Sequence, residues 1–127
     1  MRLILATILA LVFSAGTLAS EAVELRHKGV EAASKGDFES AQKYLEQSAK
    51  LGFYTAQVEY AYLLESSTDS VQNKVDSYAW YKVVIAQAGT DTEFAKEGVA
   101  RLAKVMSEAE LNQAKETATQ YLDKYAK

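Results

Sequence analysis

The chain has 127 residues, a formal net charge of −3, no Cys, no Pro and a single His. That length suits one domain with a modest core; no Cys and one His exclude disulfide staples and a soft-metal cluster, so neither metal nor cofactor is expected. Charges of both signs are interspersed without a basic run, which argues against nucleic acid as a partner and gives no support for binding anionic lipid.

The first segment is unlike the rest. Met1-Arg2 supplies a positive end, Leu3 to Leu18 is apolar or small and uncharged, and small residues follow. This is the layout of a secretory signal peptide, expected to occupy residues 1–19 and to be removed. Thr17-Leu18-Ala19 and Ser20-Glu21-Ala22 each suit a signal peptidase, which leaves cleavage after Ala19 or after Ala22 open. A membrane-anchored chain is the alternative if the segment is kept. A span needs ~20 apolar residues, however, and this run is broken by Ser14, Gly16 and Thr17. With no Cys, a lipid has no attachment point. The expectation is a periplasmic or secreted protein whose residues 20–127 form one helical-repeat domain. Losing Arg2 leaves 13 Lys and Arg against 17 Asp and Glu, a net charge of −4.

From Glu21 onward the pattern is helical. Val23 to Ser34 reads as a first helix stopped by Lys35-Gly36-Asp37. Phe38 to Lys50, with Phe38, Ala41, Leu45 and Ala49 as its apolar positions, reads as a second, stopped by Leu51-Gly52. Thr55 to Glu65 is a third. Its Ala56, Tyr60, Leu63 and Leu64 share one face while Val58 and Tyr62 point nearly opposite, the pattern of a helix held between neighbours. Ser66 to Asn73 is polar and predicts a loop. Lys74 to Ala88 is a fourth helix, crowded with Val75, Tyr78, Trp80, Tyr81, Val83, Val84 and Ile85 and ended by Gly89. Thr90 stands three residues before Glu93, and Ser107 three before Glu110; each predicts a capping box, opening helices over about 92–105 and 108–126. The expected architecture is all-α, six helices in three antiparallel pairs.

The helical units repeat. A small residue lies three before an aromatic at Ala41/Tyr44 and again at Ser77/Trp80, 36 positions on. Ala56, Tyr60-Ala61, Leu64, Asn73, Ser77 and Trp80-Tyr81 follow one another in the frame of a Sel-one-like repeat, the slightly longer relative of the tetratricopeptide repeat. Ala41, Tyr44-Leu45, Ser48-Ala49 and Gly52 fit the preceding half-unit, and Gly29, Ala32, Gly36 and Phe38 are tetratricopeptide-like. The chain thus resembles that family from about Lys28 to Leu122, departing from it in the glycine-free turn between Leu64 and Asn73 and in Val84-Ile85 for a usual Ala-Ala. The resemblance implies an antiparallel helix-pair solenoid of about two repeats plus a C-terminal helix pair. It also implies Ala41, Tyr44, Gly52, Ala56, Tyr60, Trp80 and Tyr81 as repeat-core positions. Because ~3 repeats are normally needed for stability, the final helix, a partner or a second copy has to cover the remaining apolar face.

No chemistry-bearing constellation stands out. His27 sits between Arg26 and Lys28 and reads as solvated helix surface. The carboxylate pairs Glu93/Glu97, Glu108/Glu110 and Glu39/Glu46 lie on exposed helices near caps, whereas acid–base work needs a shared cleft. Glycine-rich phosphate loops, nucleophile elbows and metal-ligand motifs are missing, so no catalytic residue is assigned and no enzyme is expected. Tyr54, Gln57 and Glu65, with Ala61, line the remaining edge of the third helix and are the expected partner-binding surface. Together these features point to an exported adaptor that binds a peptide or helix of another envelope protein. A structural subunit of an envelope or secretion assembly is the alternative.

Overall fold

The computed structural model describes the backbone of residues 2–68 and 70–126 and the side chains of residues 16–68 and 70–126. Among these residues the chain forms six helices and no strand: α1 (Arg2–Ser34), α2 (Phe38–Lys50), α3 (Tyr54–Ser66), α4 (Lys74–Gln87), α5 (Thr92–Val105) and α6 (Glu108–Tyr125). The first helix is a correction to the reading above: it does not start at Val23 but runs unbroken through residues 19 and 20. The expected leader lies largely outside the described side chains. Among the described residues no helix is long and apolar enough to cross a membrane.

Local chemistry sets the other helix ends. Gly36 and Gly52 take φ of +78° and +92°, left-handed conformations that cost glycine little and end α1 and α2. Asp37 Oδ1 accepts from Ser40 N at 3.2 Å to open α2, and Asn73 Oδ1 accepts from Asp76 N at 3.0 Å to open α4. At α6 the capping box forms as expected. Ser107 Oγ accepts from Glu110 N at 3.1 Å, and Glu110 Oε1 accepts from Ser107 N at 3.3 Å, an arrangement that stabilises by about 1 kcal/mol.

The turn between α4 and α5 departs from expectation in two ways. Left-handed backbone falls on Ala88 (φ 52°) rather than on Gly89. Gly89 is needed for another reason: a Cβ there would sit 2.6 Å from the Tyr54 ring. The predicted box at Thr90 also does not form. Asp91 is the N-cap, without a side-chain cap bond, and its N–H donates to Tyr54 Oη at 2.9 Å. Tyr54 thus fixes this turn from α3, and the local capping pair is displaced.

Helices pack in chain order, α1 on α2, α2 on α3, α3 on α4 and α4 on α5, but α6 returns to α4 and touches α5 only marginally. The expected closing pair of α5 and α6 is therefore absent. Trp80 of α4 explains the change. Its ring stacks on Tyr125 at 5.0 Å and packs against Tyr121 at 5.3 Å, drawing α6 across α4, while Tyr60 of α3 meets it edge-on at 5.8 Å. Contacts of this kind contribute about 0.5–1.5 kcal/mol each beyond simple burial. Close helix approach is built with small residues. A Cβ on Gly29 would lie 2.7 Å from Leu45 Cγ, and one on Gly98 would lie 2.5 Å from Tyr81 Cε2, so a larger residue at either position would force Leu45 or Tyr81 to shift. Ala41, Ala49, Ala56, Ala61 and Ser77 are wholly buried at the other contacts.

A groove between the first and third helices

The strip of α3 that stays open is not the expected one. Gln57 and Ala61 are fully buried. The Gln57 amide donates to the Ala49 carbonyl at 3.1 Å, while its oxygen accepts from Gln87 Nε2. Glu65 is half-buried and chelated by Arg101 through two bonds of 2.9 Å, with Tyr81 Oη donating to it at 2.7 Å. Burial alone would raise the Glu65 carboxyl, but hydrogen bonds from Arg101 and Tyr81 outweigh that and hold it below the usual carboxylate range. Tyr54 and Glu65 stay half-buried, whereas Gln57 lies inside rather than on an open edge, and the polar groups of the three tie α3 to α2, α4 and α5.

The repeat-core positions divide. Ala41, Ala56, Tyr60, Trp80 and Tyr81 lie in the core. Tyr44 is only half-buried, at the flank of the α2 face made by Ala41, Leu45, Ser48 and Ala49. Gly52 is exposed in the turn that ends α2. Both leave the core list.

Open space collects instead between α1 and α3, with α2 as the floor. The hollow has a volume of about 410 Å³; Val30 and Ala33 of α1, Phe38 and Leu45 of α2, and Tyr62 and Leu63 of α3 give it an apolar lining. Val30, Phe38 and Tyr62 remain 38%, 42% and 52% exposed around it. At one end Arg26 Nε donates to both Glu59 oxygens, at 3.0 and 3.1 Å, and Nη2 donates to Oε1 as well. Hydroxyl-bearing Ser66, Ser67 and Thr68 line the hollow too. Glu59 and Tyr62 lie one turn apart on α3, so one helix face presents a clamped carboxylate followed by an aromatic ring. Tyr62 also touches Phe94 of α5, ring to ring at 5.9 Å, which extends the aromatic surface toward the third helical layer.

The comparisons add no relative. No family model, curated protein or solved structure matches this chain. Geometry and chemistry therefore carry the functional reading.

A second cluster ties α3 to α2 and α6 to α4. Tyr60 Oη donates to Glu46 Oε2 at 3.1 Å, Lys50 pairs with Glu46 at 2.6 Å, and Tyr121 Oη donates to Asp76 Oδ1 at 3.2 Å. Here the carboxylates act as latches for tyrosines. Burial, with the nearby Glu46 charge, raises the Asp76 carboxyl above its ordinary value, against the opposing pull of Tyr121 and Lys50. Burial and the Asp76 charge push Tyr121 up to about 12. A carboxyl raised by folding contributes stability that is complete below its unfolded pKa and lost as pH rises through the folded one. Asp76→Asn keeps an acceptor for Tyr121 without the charge. This variant is expected to melt a few degrees above the parent at neutral pH, the gap closing as pH falls through the raised range of Asp76 toward that of an ordinary aspartate. Thermal melts across that range check it; a constant gap would contradict the electrostatic account.

The sequence reading missed Arg26, Val30, Phe38, Glu59 and Tyr62. One signal was present: Val58 and Tyr62 already pointed away from the apolar face of the third helix.

Proposed function

We propose that this chain is an exported adaptor that holds an apolar segment, peptide or helix, of another envelope protein in the groove between α1 and α3. The observation that carries the proposal is the convergence of Val30, Phe38 and Tyr62 on one apolar hollow with an ion pair at its end. Apolar hollows flanked by a few placed polar groups suit protein segments whose hydrophobic side chains need cover. The bidentate Arg26–Glu59 pair gives such a segment a fixed polar landmark.

The proposal takes the helices as a short solenoid of about two Sel-one-like units. Packing of neighbouring helices in chain order and the buried Trp80-Tyr81 pair support this reading. Export rests on the leader-like residues 1–19 and puts the mature chain in the periplasm or outside the cell.

Photo-cross-linkers placed singly at Tyr62, in the groove, and at Gln113, exposed on α6, test the reading in exporting cells. One stoichiometric envelope partner is expected from position 62 and not from 113. It should disappear in Val30→Glu, whose melting should match the parent because Val30 is partly solvated. Equal cross-linking from both positions would sink the groove assignment. Self-cross-links alone would replace the adaptor with a homo-oligomer or assembly subunit.

A further inference from the structure

Two bonds near the start of the mature chain suit a signal peptidase, and the folded structure treats them differently. Residues 16–21 of α1 are all exposed, so the Ala19–Ser20 bond lies outside the buried part of the described chain. Ala22 is the first buried residue of the described chain, only 3% exposed. Its carbonyl accepts a hydrogen bond of 2.6 Å from the Ser48 hydroxyl on α2. Ser48 itself is fully buried, and this is its donor bond. A chain cut after Ala22 would keep Ser48 and lose that acceptor. A hydroxyl would then be unpaired in the interior, beside a new charged amine on Val23 that has replaced an amide.

Cutting after Ala19 gives a different terminus. Ser20 becomes the first residue, of a type that suits a helix N-cap. Glu21 and Glu24 then fall in the first turn, where carboxylates offset both the helix dipole and the new amine. Ala22 stays in place under the Ser48 hydroxyl.

From these observations we infer that the export peptidase hydrolyses the Ala19–Ser20 bond and spares Ala22–Val23. In that step one water adds across the peptide bond: the C–N bond breaks, Ala19 leaves as a carboxylate on the leader, and Ser20 keeps a free amine. The inference rests on the export reading given under Proposed function.

The test is the intact mass and N-terminal peptide of the full chain, tagged at its C-terminus, expressed in an exporting bacterium and recovered from the envelope or medium. The expected result is a single species beginning at Ser20. A species beginning at Val23 would overturn the inference while leaving export standing. A chain still beginning at Met1 would overturn both, and any other terminus would overturn the assignment of this bond.

Discussion

Trp80→Ala is expected to lower unfolding free energy by about 3–5 kcal/mol, the usual range for emptying a large aromatic site in a core. The side chain is 1% exposed and touches rings from two other helices, Tyr60 of α3 and Tyr121 and Tyr125 of α6. Its loss therefore leaves a cavity and also removes the aromatic part of the packing that holds α6 on α4. Two readouts follow. Denaturant melts should show the full loss, and limited proteolysis of the native variant should cut first within α6. Trp80→Phe should recover most of the stability, since one ring can still meet the α6 tyrosines. A loss below about 1 kcal/mol would mean that Trp80 does not close the core.

Gln57→Ala is the second large effect, about 2–4 kcal/mol. Gln57 is the largest fully buried polar side chain, and it bridges the Ala49 carbonyl at the end of α2 to the Gln87 amide at the end of α4. Truncation empties its volume and strips a partner from each. Gln57→Leu refills the volume without the hydrogen bonds, so it should fall between parent and alanine variant. The spread among the three in urea melts separates packing from polar pairing. An alanine variant as stable as the parent would return Gln57 to the surface.

These two residues show what the sequence could and could not disclose. Helix positions were legible because Gly36, Gly52 and the Ser107–Glu110 box act locally, and each does its work within a few residues. Trp80 and Tyr81 were legible as core through the repeat resemblance, which implies buried positions for both, and both are buried. The faces of α3 were not legible. That helix has buried residues on more than one side, and hydropathy misleads on both of its telling residues: polar Gln57 is inside, and aromatic Tyr62 faces the groove. Only the partners, Ala49, Gln87 and Phe94, decide those orientations, and they lie 8 to 32 positions away along the chain. The turn after α4 escaped for a similar reason. Local rules gave Gly89 the helix stop and Thr90 the cap, but Tyr54, on another helix, takes the space at Gly89 and the N–H of Asp91.

The return of α6 onto α4 has a kinetic consequence. The rings that cover Trp80 from that side belong to residues 41 and 45 positions later in the chain, so this face stays wet until α6 has been synthesised. Earlier helices can form and pair, but the aromatic centre cannot be completed by any N-terminal part alone. Under the export proposal, such a delay would keep the chain unset while it threads a translocation pore.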